Sequence, residues 1–462
     1  MNFDRSKIFQ VISLLLSSII GVGLNIIIGF LIPSMLDFDD FSKYRILMFY
    51  IGFIPILHVG YIDGILMKYS SISTEELDKY SFKKSLYIFS IIQLFITLIM
   101  SMIVYSTLGK SVYLYICFLI PFVNISGYIT KVMVLKNKFK LISLFNLFLK
   151  IALVLTALIM MLLHIKNYYY LVYAVYITYI LQIIIGYFSV IKNNEKSEEI
   201  TFSSELKLIK TGFPIVSAYF ISTFLLGLDR IFIERSGNLE EYAYYSFAYS
   251  LITIFITIFD SLTVLIFPMI MKMEKNKQIE FFETSKVILN ILFSITIIFV
   301  ILIFPMINIF IPKYNNSIIY FIILFPIIFI RLNYSIRIIP QINALAETKF
   351  ALLYNIFCVF ILSFLNFTIY ILKLNFIFYG FATVIVLSAL NYFLEKRIVT
   401  NFNMNTFRSE SHQLMIIILF LIVYLNLNTY TYLFGVFLNI VMLYFFYKNN
   451  IIKITKKIKI KG

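Results

Sequence analysis

The sequence predicts an all-α membrane protein with about 14 transmembrane helices. Three observations carry this prediction: 61% of the 462 residues are apolar and only 13% charged, the apolar residues gather into long runs, and Lys and Arg collect in every second connection between those runs. A soluble domain carries about 25% charged residues, so the composition excludes an ordinary soluble enzyme. The same hydrophobicity excludes a disordered chain. Cys117 and Cys358 both fall in apolar runs and read as reduced thiols rather than a disulfide framework.

A helix needs about 20 apolar residues to cross the hydrocarbon, where its backbone must satisfy its own hydrogen bonds. Such runs occupy residues 9–31, 44–66, 86–108, 112–135, 141–163, 168–191, 208–233, 242–270, 287–311, 318–339, 350–372, 375–394, 413–427 and 431–447. The first follows Arg5 and Lys7, is too long for a signal-peptide core, and reads as a retained span. With the N-terminus in the cytoplasm, 29 of the 39 basic residues lie on that side and 8 lie outside, while Lys150 and Arg331 fall within spans. The bias alternates at every crossing, which places both termini in the cytoplasm. The net charge of +16 is then a topology signal rather than a nucleic-acid surface. No connection exceeds roughly two dozen residues, so the protein works within the membrane. Tyr168, Tyr169 and Tyr170 supply an outer aromatic belt in a chain without Trp, and the Lys/Ile tail at 448–462 fits anionic headgroups or a plain positive-inside anchor.

The two halves echo each other. Asp39, Asp40, Phe41 and Tyr44 precede one descending helix, Glu240, Glu241, Tyr242 and Tyr245 precede another, and the two helices end at Lys68 and Lys272. This pattern predicts an N-terminal lobe at 1–195, a C-terminal lobe at 196–400, two further helices at 401–447 and a basic cytoplasmic tail at 448–462.

Charges within spans are the candidate functional residues, because each costs about 2.5 to 3.5 kcal/mol at a helix centre and should face a cavity or a partner. In the tenth span Arg331, Tyr334 and Arg337 recur at i, i+3 and i+6, inside an arc of roughly 120° on an α-helix, with Asn333 nearby and Pro326 able to bend the rod. Two guanidiniums on neighbouring turns can grip a diphosphate; Arg337, close to Pro340, can equally snorkel to headgroups. Lys150 lies about 13 Å above residue 141, with Asn146 on its face. It is a second candidate phosphate contact or an inner-leaflet snorkel. Asp260, near the midplane, is the candidate for coupling to H⁺ or Na⁺, or a fixed partner of Arg331 or Lys150. Asp229 and Arg230, near an outer helix end, read as a gate or as an interfacial ion-pair cap in which Arg230 reaches Glu234. Asp63, with His58 close by, is a similar case. Three histidines with no zinc spacing, and no GxxxxGK[ST] segment, leave no cofactor, metal or ATP site to expect.

Two segments resemble a known family. Residues 212–251, GFPIVSAYFISTFLLGLDRIFIERSGNLEEYAYYSFAYSL, are similar to the seventh and eighth helices of Wzx-type polysaccharide flippases. Residues 60–68, GYIDGILMK, followed by Glu75, Glu76 and Asp78, are similar to the Gly-x-x-Asp-Gly segment of the same group. The resemblance implies the multidrug/oligosaccharidyl-lipid/polysaccharide (MOP) fold, with two six-helix lobes around a central V-shaped cavity and an appended helix pair. It further implies a polyprenyl-diphosphate-linked oligosaccharide as cargo, flipped to the outer leaflet of a bacterial inner or plasma membrane, with membrane lipids and polysaccharide polymerase or chain-length machinery as partners. A drug or organic-cation antiporter would need an acidic, aromatic pocket, against which the in-span cations speak. A membrane polymerase or ligase would need a larger outer loop.

Overall fold

The computed structural model describes residues 5–403, apart from 71, 73–76, 78–80, 109–111, 193–201 and 272. The helices expected at 413–427 and 431–447, the tail at 448–462, and Glu75, Glu76 and Asp78 lie outside the described residues. The described chain is helical throughout, with no strand among the described residues. Among the described residues, nine helical stretches are long and apolar enough to cross a bilayer, or ten when one bent pair is taken as a single span. The protein is a multi-pass membrane protein.

The chain divides into two compact units, Met1–Phe224 and Leu225–Gly462. The first unit holds α1 (Arg5–Met35), α2 (Phe38–Ile51), a 3₁₀ turn (Ile54–His58), α3 (Tyr61–Tyr69), α4 (Phe82–Leu108), α5 (Val112–Leu135), α6 (Phe139–Leu162), α7 (Tyr169–Gly186) and α8 (Phe202–Leu225). α1 packs along α6, α4 along α5, and α7 against both α5 and α6. A boundary at 195/196 is the sequence expectation; the compact unit extends one helix further, because α8 packs on α3.

Apolar side chains gain nothing by leaving lipid, so helix association here rests on close packing and interhelical hydrogen bonds. Asn124 of α5 donates to Gln93 of α4 at 2.6 Å, and Gln93 donates to the Leu57 carbonyl at 3.3 Å. Ser126 of α5 donates to Gln182 of α7 at 2.6 Å, and Gln182 in turn donates to the Phe145 carbonyl of α6 at 2.9 Å. Leu94, Phe95, Leu98 and Met102 of α4 stay exposed, at the i, i+4 spacing of a lipid-facing stripe.

The second unit holds α9 (Leu228–Arg235), α10 (Leu239–Met271), α11 (Lys275–Phe310), α12 (Ser317–Leu324), α13 (Pro326–Leu332), a π-helical turn (Asn333–Ile338), α14 (Ile339–Ala344), α15 (Thr348–Ile371) and α16 (Ile377–Phe402). α12 packs on α10 and α16, and α15 on α9 and α16.

Three expected spans depart from a single regular α-helix. The second, expected as one helix at 44–66, bends by 58° between the Phe38–His58 and Tyr61–Tyr69 segments. Pro55 removes a donor there, and Val59 and Gly60 turn left-handed at φ 54° and 87°. That conformation suits Gly60 and strains the β-branched Val59. The seventh, expected at 208–233, divides at Gly227 into α8 and α9. The tenth is a continuous rod from Ser317 to Ala344 whose middle is wound as a π turn, closed by the Ile339 N–H on the Tyr334 carbonyl.

Candidate functional site

Lys150 occupies the middle of the 24-residue α6 and lies half-buried against Gly21 of α1. The two are so close that a Cβ added at Gly21 would sit 2.5 Å from Nζ. The absent side chain is what leaves room for the ammonium. No carboxylate among the described residues pairs with Lys150. Asn146, one turn earlier, is exposed. In hydrocarbon an ammonium without a counter-charge is costly.

The tenth span separates residues that the sequence groups together. Arg331, on α13, is half-buried; its guanidinium stands 5.6 Å from the centre of the Tyr334 ring, and no described carboxylate pairs with it. Asn355 of α15 donates to the Tyr334 hydroxyl at 3.3 Å, so Arg331, Tyr334 and Asn355 form one polar group. Arg337 is elsewhere. Its guanidinium donates to Glu395 at 2.6 Å, to the Phe282 carbonyl at 2.9 Å and to Asn333 at 3.1 Å, and stacks on the Phe282 ring at 3.8 Å. Lys286 donates to the same Glu395 oxygen at 2.9 Å. All three charges are buried, with Arg337 only 1% exposed. The expectation that Arg337 grips substrate beside Arg331 is therefore corrected: Arg337 closes a buried ion triad joining α11, the π turn and α16. The physical reason is the π turn, which carries more than 3.6 residues per turn and so takes Arg337 out of the arc that α-helical spacing assigns it. Snorkelling to headgroups is excluded by the same burial.

Asp229 opens α9 and is wholly buried. It accepts hydrogen bonds from the Tyr245 hydroxyl at 2.5 Å, the Arg230 backbone N–H at 2.7 Å and the Thr383 hydroxyl at 3.3 Å. Arg230 donates to the Leu226 carbonyl at 3.2 Å and lays its guanidinium 3.9 Å from the Tyr249 ring centre. The pair is thus knitted into the packing of α9, α10 and α16. Asp260 lies within α10, and its side chain is outside the described residues. Asp63 approaches His58 Nε2 at 3.7 Å, while His58 Nδ1 accepts the Gly60 N–H at 3.0 Å. Among the described residues, no group of three or more His, Cys, Asp or Glu side chains could hold a metal ion.

Sequence reasoning missed Glu395, Lys286 and Glu205. Glu395 follows the last residue of the run at 375–394 and precedes Lys396 and Arg397, so it reads as an ordinary span-end charge. Lys286 and Glu205 sit at span ends, where charge is ordinary, and nothing in the sequence tells them from neighbours in water.

No family model matches the sequence, and no curated protein matches it. Solved structures do. One, described as lipid II flippase MurJ in an inward-closed conformation, superposes with a TM-score of 0.67 at 17% identity, covering 96% of this chain and 100% of its own. An outward-facing multidrug resistance MATE transporter of the MOP superfamily aligns at a TM-score of 0.55 with 11% identity, over 85% of this chain and 95% of its own. The chain has the MOP fold. A MOP superfamily transporter from Pyrococcus furiosus, described as having a binding pocket of reverse polarity, aligns at 0.51 with 12% identity over 86% of this chain and 96% of its own. The MOP fold agrees with the resemblance that residues 60–68 and 212–251 carry. All three neighbours are transporters or flippases.

Proposed function

We propose that this protein flips a polyprenyl-diphosphate-linked oligosaccharide from the cytoplasmic to the outer leaflet of a bacterial inner or plasma membrane, for surface polysaccharide assembly. Both termini lie in the cytoplasm in this reading. The observation that carries it is the contrast among in-span cations: Arg337 and Lys286 are neutralised by Glu395, whereas Lys150 and Arg331 have no carboxylate partner among the described residues. A diphosphate needs such cations, and a guanidinium also offers it paired donors. Lys150 and Arg331, with Tyr334 and Asn355 beside the latter, each serve as an anion contact as the headgroup passes. The MurJ neighbour, a lipid II flippase, supports a lipid-linked cargo. Asp229 is the buried acid best placed to take up H⁺ or Na⁺, since hydroxyls of Tyr245 and Thr383 already surround it; Asp260 is the second candidate. A drug or organic-cation antiporter, the reading the MATE neighbour favours, would gain nothing from two unpaired cations.

The test is complementation of a flippase-deficient bacterial strain, with mass spectrometry of the lipid-linked intermediates on each side of the membrane. Restored export by the wild-type chain, and its loss in Arg331→Ala and Lys150→Ala at normal membrane levels, is the expected result. Export untouched by both substitutions would remove the anion-contact reading.

A further inference from the structure

The two segments that carry the family resemblance, residues 60–68 and 212–251, touch in the first unit where Gly60 and Gly64 meet Gly212 and Phe213. Gly60 and Gly64 of the broken second span press on α8 so closely that side chains are excluded. A Cβ at Gly60 would lie 2.3 Å from the Phe213 nitrogen, at Gly64 2.1 Å from the Leu208 carbonyl oxygen, and at Gly212 1.9 Å from the Gly60 carbonyl oxygen. The spacing of Gly60 and Gly64 is the small-xxx-small pattern by which membrane helices approach backbone to backbone.

Beside this seam lies Glu205 of α8, 1% exposed. Its carboxylate accepts hydrogen bonds from the Tyr61 hydroxyl of α3 and, at 2.8 Å, from the Ser85 hydroxyl of α4. Tyr61 is held by stacking on Phe89, with ring centres 4.8 Å apart. Leu208, 3% exposed, fills the apolar cluster formed with Tyr61, Ile65, Phe89 and Tyr128. α3 itself hangs from the left-handed Val59–Gly60 corner, where a few dihedrals can absorb a rotation.

We infer that the α3–α8 seam is a closed gate on the lysine-rich face of the membrane, with Glu205 as its latch. Exposed Lys68, Lys207 and Lys210 mark that face, which the charge rule assigns to the cytoplasm. The chemistry suits a reversible contact. Glycine backbones do not interdigitate, so the helices can part without repacking rotamers. The carboxylate exchanges two hydroxyl donors for water when the seam opens, so its hydrogen bonds in the closed state are offset by hydration in the open one. This inference rests on the flippase reading for its purpose, since a cargo taken from the cytoplasmic leaflet requires an opening there, but its geometry does not depend on the cargo.

The experiment uses the full-length protein with Cys117→Ser and Cys358→Ser, carrying Leu208→Cys, in vesicles of each orientation exposed to a membrane-impermeant maleimide. Labelling should be slow, come from the lysine-rich side only, and rise about tenfold when Glu205→Ala removes a charge-assisted contact. Glu205→Gln, which can still accept from both hydroxyls, should label more slowly than Glu205→Ala. Gly64→Ala, which wedges the seam without touching the carboxylate, should accelerate labelling as well. Equal rates in all four proteins, or labelling from the opposite side, would overturn the gate. Lipid-linked glycan export is followed in the same strains. Rates that respond as expected in a protein whose wild type exports no glycan would overturn the cargo reading and leave the gate standing; unresponsive rates with normal export would do the reverse.

Discussion

Arg331 and Arg337 stand six residues apart on one rod and meet opposite environments. Arg331 rests beside the Tyr334 ring with no described acid partner, and Arg337 is buried against Glu395, Phe282 and Asn333. Their substitutions should therefore separate transport from stability. Arg331→Ala is expected to insert and unfold as the wild type does while losing export. Glu395→Gln leaves Arg337 and Lys286 buried without their counter-charge, and breaking such a group costs about 3–5 kcal/mol. Thermal unfolding in detergent should show a clearly lowered midpoint for Glu395→Gln, and an unchanged one would mean that the triad is not a structural clamp. The sequence shows that all three residues are charged and in or near spans. It does not show which cation meets the acid, because the answer turns on one π turn that no residue pattern here announces.

At the scale of elements, interhelical polar contacts decide what a uniformly apolar surface cannot. Gln182 joins α5, α6 and α7 through Ser126 and the Phe145 carbonyl. Replacing it with Leu should cost about 1 kcal/mol, the size of such bonds in membranes, and a chemical-denaturation series in mixed micelles would register it. The turn before α15 gives a pH-dependent case outside the spans. Arg397 donates to Glu347 at 2.9 Å, Asn401 donates to the same carboxylate at 3.1 Å, and these hydrogen bonds hold the Glu347 carboxyl below its ordinary pKa. A depressed carboxylate contributes stability that is present above the unfolded pKa and is lost as pH falls through the folded one. Glu347→Gln should thus lower the melting temperature slightly at neutral pH, as befits a partly exposed pair, and have no effect once the pH is below the folded pKa. A difference that persists in acid would contradict this assignment. Helix positions were readable from hydropathy, and the break in the second span had its markers in Gly52, Pro55 and Gly60; the π turn of the tenth had none.

For the whole molecule, charge and hydropathy make a topology that can be checked without knowing the cargo. Lys138 and Lys166 flank α6 and are both exposed. Lys138→Cys and Lys166→Cys, each in a chain with Cys117 and Cys358 replaced, should label from opposite sides of the membrane, Lys138→Cys from the cytoplasm. Labelling of both from one side would invert or break the assigned topology. The internal echo between residues 39–44 and 240–245 predicts a lobe boundary at 195/196, whereas the compact units divide at 224/225 and place α8 with the first. The fold persists at 11–17% identity to the neighbours described above while the cargo stays unread, because helix packing tolerates any apolar residue of suitable size, whereas recognition depends on a few side chains.

The sequence by itself determined the solvent. A chain this apolar, with lysines alternating between connections, can only lie across a bilayer, and each in-span charge is legible as an exception that needs a reason. Tertiary structure decided what several of these exceptions meet. Glu395 absorbs Arg337 and Lys286, Gly21 makes room for Lys150, and the glycines of residues 60–64 find their partner at 212, more than a hundred residues away. Hydrophobicity is a property of a local window, and so is read along the chain. Charge neutralisation and backbone contact are properties of pairs, and exist only once the helices are side by side.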